Sequence, residues 1–194
     1  MSQINQIQEE LRQIEGGRFQ TLANQYLYRR YSLNNIIELG SQCGTDKTTT
    51  GVPDMYSVGE NGHYLFAAYT TSKSDNRNKL LNDAKDCLDR SKTGINPQLI
   101  DRIILCHTYF RLSPLVLEEV RAIDPRIEII GPETIASDLD GKYPALAHTV
   151  LGVPLGKGSF IAPDRFIERN SNARFRTDLS KPLVHRESEL AGLI

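Results

Sequence analysis

An acid and a lysine stand at the ends of two neighbouring apolar stretches of this chain. Asp54 follows Pro53 at the start of the first stretch, and Lys73 comes just after the second, residues 64–70. A carboxylate can hold a hard divalent cation that polarises a phosphate and activates a water, and an ammonium can steady the developing charge. The expected second carboxylate is absent, because position 68 is Ala68. The pattern predicts a metal-assisted, phosphate-cleaving site that lacks one ligand.

The two stretches are predicted to form a β-hairpin. Between them lies Gly59-Glu60-Asn61-Gly62, and an Asn-Gly pair is the strongest short-range hairpin signal. We therefore expect residues 54–58 and 63–70 to be antiparallel neighbours. Taken alone, however, Asp54 is also an ordinary turn residue beside a proline, and Lys73 is also an ordinary solvated lysine.

Hydrophobic periodicity predicts the elements that surround the hairpin. Helices are expected up to Ile14, where Gly16-Gly17 ends the first, and then over 18–30, 76–90, 113–123 and 133–151, the last broken at Tyr143-Pro144. Short strands are expected at 36–39, 100–106 and 126–130. Strands that alternate with helices in this order indicate an α/β fold with a mixed sheet flanked by helices.

Composition limits the possible partners and compartment. The 194 residues carry a formal charge of −1, so nucleic acid would have to meet a local basic patch, for which Lys47, Arg77 and Lys79 are the candidates. The three cysteines are odd in number and form no Cys-x-x-Cys pair, which argues against a disulfide framework or a zinc site and favours a reducing cytoplasm. No apolar stretch approaches the roughly 20 residues that span a bilayer, so a membrane partner is not expected.

Glu38 is a further candidate for the chemistry. It lies on the strand before the hairpin, flanked by Ile37 and Leu39, so alternation points its side chain away from both neighbours. It could then face the same pocket as Asp54, or it could be a plain surface glutamate.

Several motifs resemble one nuclease superfamily. Gly44-Thr45-Asp46-Lys47-Thr48, Gly51-Val52-Pro53-Asp54 and residues 64–71 look like the core of PD-(D/E)xK nucleases, in the branch found at the N-terminus of bacterial antiviral STAND NTPases. Residues 182–190 are similar to the lead-in of a STAND ATPase module, with His185 in place of the usual glycine. The resemblance implies a restriction-endonuclease-like fold over residues 18–160, after an N-terminal helix at 1–17. It also implies that residues 161–194 link to an NTPase module.

The resemblance assigns roles position by position. Asp54 matches the metal-binding aspartate, Ala68 falls where the second acid belongs, and the main chain at Tyr69 would complete the set for Mg²⁺ or Mn²⁺. Thr70 occupies the lysine position, which leaves Lys73 or Lys47 as a migrated lysine. Three explanations of Ala68 remain open, and the retained hairpin pattern favours the first. The acid was replaced to silence a toxic nuclease, another acid such as Glu38 took over, or the domain no longer cuts.

The expected function is therefore that of a magnesium-dependent DNA endonuclease. In this hypothesis the domain is the effector of an antiviral protein, acts on double-stranded DNA, and is gated and assembled into a homo-oligomer through its NTPase module. The competing hypothesis is a non-catalytic interaction domain that keeps a nuclease-like fold, binds no metal at Asp54 and carries an apolar patch. RNA in place of DNA as the substrate is a third possibility.

Overall fold

The computed structural model describes residues 2–39, 52–71 and 76–155. Lys47 and Lys73, together with the linker expected at 161–194, lie outside the described residues. The hairpin, Glu38, Arg77 and Lys79 lie within them.

Helices form where the apolar periodicity predicts them. They are α1 (Gln3–Gln13), α2 (Gly16–Arg30), α3 (Asn76–Leu88), α4 (Arg90–Thr93), α5 (Pro114–Arg121), α6 (Pro132–Gly141) and α7 (Pro144–Leu146), which continues into a π-helical turn at Ala147–Leu151. The expected break at Tyr143-Pro144 is confirmed. One detail is wrong, because Gly16 begins α2 and does not end α1. The chain leaves the first helix earlier, since Ile14 and Glu15 are already extended.

The strands form a mixed five-stranded sheet, as expected for the α/β class. They are β1 (Ile37–Glu38), β2 (Met55–Val58), β3 (Tyr64–Thr70), β4 (Ile100–His107) and β5 (Ile127–Ile130), and they neighbour one another in that order. The pairs β1–β2 and β2–β3 are antiparallel, whereas β3–β4 and β4–β5 are parallel. The carboxyl ends of β3, β4 and β5 therefore lie at one edge of the sheet, together with the start of β2.

The predicted hairpin is confirmed, and its turn keeps β2 and β3 in register. Gly59 donates its N–H to the carbonyl of His63 at 2.8 Å, and Gly62 adopts a φ of +76°. A glycine enters this left-handed region without the steric cost that a Cβ would bring. In the resulting register Met55 lies opposite Ala67 and Val58 opposite Tyr64.

The sheet is covered by helices on both faces. On one face, hereafter the α2 face, α1, α2, α6 and the π-helical turn pack against Met55, Ala67, Ile104 and Cys106. On the other, the α3 face, α3 and α5 pack against Phe66, Ala68, Ile103 and Leu105. Each of these two helices connects neighbouring parallel strands in the same direction across the sheet, which accounts for their common side.

The first helix belongs to the same core as the sheet. Ile7 and Leu11 of α1 are fully buried in the α2-face cluster, so α1 packs in the same core as the sheet. In the described ranges no helix combines the length and apolar character needed to cross a bilayer.

Candidate functional site

The Asp54 side chain lies beside position 68. The β2–β3 register pairs Met55 with Ala67, so one further step along the same ladder sets Asp54 across from Ala68. Oδ2 of Asp54 accepts a hydrogen bond of 2.7 Å from the backbone N–H of Tyr69. Because directly opposite residues of an antiparallel pair share a face, Asp54 and Ala68 both belong to the α3 face. The structure thus brings together the acid and the residue that were expected to form one site.

The main chain of Tyr69 faces the same place. In an antiparallel ladder the N–H and C=O of one residue point to the same neighbouring strand. Since the Tyr69 N–H reaches Asp54, its carbonyl also lies on the β2 side, whereas the next carbonyl, that of Thr70, accepts from Thr108 on the β4 side. The Tyr69 side chain points the other way, into the α2 face, and donates its hydroxyl to Oδ1 of Asn24.

Helix α3 adds a charged pair to this end of the sheet. Asp83 is only 6% exposed, and its Oδ1 lies 2.6 Å from Nζ of Lys79. Asp83 shares the buried face of α3 with Leu80, Ala84 and Cys87, which pack in the same cluster as Ala68. The charges of Asp83 and Lys79 both act on the Asp54 carboxyl.

The Asp54 carboxyl is tuned to hold a proton more tightly than usual. Burial raises the pKa of Asp54 to about 6, and the negative charge of Asp83 adds to that effect. The Tyr69 N–H and the Lys79 ammonium act in the opposite direction, because both stabilise the carboxylate. A cation that approaches Asp54 would therefore compete with a proton near neutral pH.

The hydroxyl of Thr70 is used for a structural contact. Its Oγ1 lies 2.9 Å from the hydroxyl of Tyr109, and Tyr109 stacks on His107 with ring centroids 5.3 Å apart. The backbone N–H of Tyr109 also donates to Nδ1 of His107, at 3.1 Å. Thr70, at the position where the resemblance places a lysine, thus anchors the segment after β4. Burial lowers the pKa of His107 to about 4, so its imidazole is neutral.

Glu38 does not join Asp54, and the expectation that it could is wrong. The β1–β2 register pairs Glu38 with Met55, whose side chain lies in the α2 face. Glu38 consequently lines a cavity of about 250 Å³ on that face, beside Asn24 and Arg29 of α2. The sheet separates it from the Asp54 side chain.

The expected phosphate-contacting residues divide into two cases. Arg77 is engaged by a carboxylate, because its Nε and Nη2 lie 2.6 Å and 2.9 Å from the two oxygens of Glu119 on α5. This bidentate pair ties α3 to α5, and it corrects the view of Arg77 as a side chain that is ready for a phosphate. Lys79 pairs with Asp83 but keeps a half-exposed side chain, so its ammonium can still reach solvent.

Asp83 and Tyr109 are the members of this polar group that the sequence analysis did not single out. A signal for Asp83 exists in the chain: positions 80, 83, 84 and 87 follow the spacing of one helix face, and three of them are apolar. An aspartate inside such a stripe, four residues after a lysine, marks a buried ion pair. Tyr109 carries no comparable local signal, since its partner Thr70 is 39 residues away.

The residues at this site do not form a complete magnesium set. Mg²⁺ prefers octahedral oxygen ligands, commonly one or two carboxylates with waters and substrate phosphates. Asp54 offers one carboxylate, whose Oδ2 already accepts from Tyr69, and the Ala68 methyl offers nothing. Within the described residues, no group of three or more His, Cys, Asp or Glu side chains could hold a metal ion. As the chain stands, its donor set does not fit a tightly bound ion.

Comparison with known proteins gives no match to a family model, to a curated protein or to a solved structure. The activity of this site must therefore be inferred from its own residues.

Proposed function

We propose that this domain is a DNA endonuclease of the metal-dependent, restriction-endonuclease-like type, and that its metal-binding set lacks the carboxylate of position 68. The observation that carries the proposal is the placement of Asp54. Its partly buried carboxylate lies across the hairpin from Ala68 and is held by the Tyr69 N–H at 2.7 Å. A carboxylate at position 68 would then stand beside the one that is already there.

The sheet topology supports this proposal. An antiparallel hairpin leads into a parallel strand through α3, and Asp54 lies at the edge where the carboxyl ends of β3 and β4 meet. Open α/β sheets commonly bind their ligands outside that edge. The start of β2 and the end of β3 thus present their side chains to the part of the fold where a substrate would approach.

The electrostatics give the missing carboxylate a clear consequence. A carboxylate at position 68 would join Asp54 and the Tyr69 carbonyl in holding a divalent cation. Such a cation would polarise the scissile phosphate and activate a water. Two adjacent carboxylates also repel each other, which strengthens their binding of a cation. With Ala68 only one of these two acids is present, and its pKa is already raised, so the cation is bound more weakly. We therefore expect the chain with Ala68 to be inactive or nearly so.

Restoring the acid tests the proposal. The Ala68→Glu variant is expected to cut plasmid DNA in the presence of Mg²⁺ or Mn²⁺. Ala68→Gln is the matched control, because it adds the same side-chain volume without a charge, and it should remain inactive. Circular dichroism on both variants verifies that the buried position accepts the larger side chain. Failure of a folded Ala68→Glu protein to cut, or cutting that survives Asp54→Asn, would refute the proposal.

The biological role that we propose is that of an effector in bacterial antiviral defence. The similarity of residues 182–190 to a STAND lead-in supports attachment to an NTPase that assembles and gates the domain. To test this role, cells that express the domain attached to its NTPase, with either Ala68 or Ala68→Glu, are challenged with phage. Protection that is independent of the residue at position 68 would count against it.

A non-catalytic interaction domain is the second candidate, and an apolar patch favours it. Ile37 of the edge strand β1 and Leu39 just after it are 40% and 44% exposed, on the side of the strand that faces away from α2. Such a patch can mediate self-association. Calorimetry with Mn²⁺ and sedimentation of an Ile37→Lys variant separate the two candidates. Loss of self-association without any Mn²⁺ binding by the Ala68→Glu protein would favour the interaction domain.

A further inference from the structure

We infer that Lys79 of α3 is the cation that meets the substrate phosphate at the Asp54 site, and that Asp83 is a positioning residue that holds it there. This inference rests on the proposed nuclease function and names a member of the same site. It adds a candidate to Lys73 and Lys47, the expected lysines, both of which lie outside the described residues.

The pairing of Lys79 with Asp83 gives the ammonium a defined place. The carboxylate of Asp83 is almost completely buried, and its Oδ1 lies 2.6 Å from Nζ of Lys79. A buried carboxylate on a helix that packs against the sheet is itself fixed by its surroundings. The Lys79 stem stays about half exposed. The ammonium is thus attached to a rigid partner on one side and open to an incoming ligand on the other.

The helix face that carries this pair is the one that covers position 68. Leu80 and Ala84, which flank Asp83 on α3, pack in the same cluster as Ala68 and Phe66 of β3. Asp54 lies across the hairpin from Ala68. Lys79 is close enough to Asp54 for its charge to act on that carboxyl, and it acts on Tyr109 in the same way. The ammonium, both carboxylates and Tyr109 therefore lie within electrostatic range of one another on the α3 face.

In the metal-free chain, a phosphodiester at this place requires a cation from the protein. Asp54 and Asp83 are both acidic, so an anionic backbone that approaches them is repelled unless a positive charge intervenes. Thr70, at the lysine position of β3, is neutral and is bonded to Tyr109. Arg77, six residues before Asp83 on the same helix, is engaged by Glu119. Lys79 combines the required charge, exposure and proximity.

DNA binding without metal tests the contact independently of cleavage. We measure the affinity of the Ala68 protein for a DNA duplex in EDTA at several salt concentrations. Each phosphate contact contributes about 0.9 to the slope of log K against log salt, so Lys79→Gln should lower that slope by about 1. Lys85→Gln, which removes an exposed lysine of the same helix, is the matched control and should leave the slope unchanged. Equal slopes for Lys79→Gln and the parent would overturn the inference.

Kinetics in the Ala68→Glu background test the catalytic role. Lys79→Gln is expected to lower kcat by about 10²-fold or more while KM changes less than about threefold, because the charge is needed most in the transition state. Lys79→Arg should recover part of the rate. Asp83→Asn should keep the salt slope but lower kcat about tenfold, since the ammonium remains but loses its anchor. A kcat for Lys79→Gln within about threefold of the parent would overturn the role.

The two possible failures are distinguishable. If folded Ala68→Glu protein does not cut at all, the proposed function fails and the catalytic role of Lys79 fails with it. If that protein cuts and Lys79→Gln cuts equally fast, only the inference about Lys79 fails.

Discussion

The carboxylate of Asp54 and the backbone N–H of Tyr69 form a hydrogen bond of 2.7 Å across the start of the β2–β3 hairpin. This bond stabilises the ionised carboxylate, whereas burial and the nearby Asp83 favour the protonated form. The second influence is the stronger one, because the pKa of Asp54 rises to about 6. A carboxyl that is hard to ionise in the folded state links folding to pH.

The ionisable Asp54 should therefore destabilise the folded protein in a pH-dependent way, and replacing it should remove that effect. The pKa rises from 3.8 to about 6 on folding, so between these values the folded protein binds more protons and loses stability as the pH increases. Asp54→Asn removes the titrating group and can still accept from Tyr69. Relative to the parent, this variant should gain about 2 kcal/mol in its free energy of unfolding between pH 4 and pH 7. Urea unfolding at both pH values measures the gain.

The exposed Asp140 supplies the control for that measurement. Asp140→Asn, which removes an exposed carboxylate of α6, should change the free energy of unfolding only slightly. A pH-independent difference between Asp54→Asn and the parent would mean that Asp54 titrates as it does in the unfolded chain.

His107 should produce the opposite pH dependence. Burial lowers its pKa from 6.5 to about 4, so the unfolded chain binds the extra proton over this range. The stability that comes from the neutral imidazole is complete above pH 6.5 and is lost as the pH falls toward 4. Relative to His107→Asn, the parent should lose about 2 to 3 kcal/mol more of its free energy of unfolding from pH 7 to pH 4.

The comparison with His107→Asn keeps the local hydrogen bond, because the asparagine oxygen can replace Nδ1 as the acceptor for the Tyr109 N–H. Chemical denaturation across the pH range gives the two stability curves. Parallel curves for the two proteins would show that His107 does not titrate on unfolding.

Local patterns were sufficient to predict the hairpin and most helices. The Asn61-Gly62 pair acts over four residues, and the apolar stripes of the helices repeat every three or four, so both are readable without knowledge of the fold. The adjacency of Asp54 to position 68 follows from the hairpin alone. The same stripe that predicts α3 also contains Asp83, so its burial is readable from its position although the residue is charged.

The positions of Glu38 and Arg77 could not be predicted, because they depend on contacts between distant parts of the chain. Alternation correctly separates Glu38 from Ile37, but the face that each one occupies depends on the register of β1 against β2. The partner of Arg77 is Glu119, 42 residues away on a helix whose position follows from the whole sheet. Sequence spacing carries no information about either contact.

The bidentate pair of Arg77 and Glu119 should contribute modestly to stability and little to DNA binding. Its side chains are 50% and 30% exposed, so water screens much of their attraction. Arg77→Ala and Glu119→Ala are expected to lower the free energy of unfolding only slightly, with a small favourable coupling in a double-mutant cycle. A larger loss of DNA affinity for Arg77→Ala than for Lys79→Gln would contradict the assignment of these two cations.

Gly62 should be a sensitive position of the hairpin turn, because it alone among the turn residues adopts a left-handed conformation, with φ at +76°. A Cβ added there meets no atom within 4 Å, so any effect of Gly62→Ala arises from backbone strain and not from a clash. The expected loss is about 1 kcal/mol in the free energy of unfolding. Gly141→Ala is the matched control, since a Cβ there also meets nothing and the residue lies in helix α6. It should be neutral or slightly stabilising. Equal melting temperatures for Gly62→Ala and the parent would show that the turn relaxes to another conformation, and the register that sets Asp54 across from Ala68 would then need a different support.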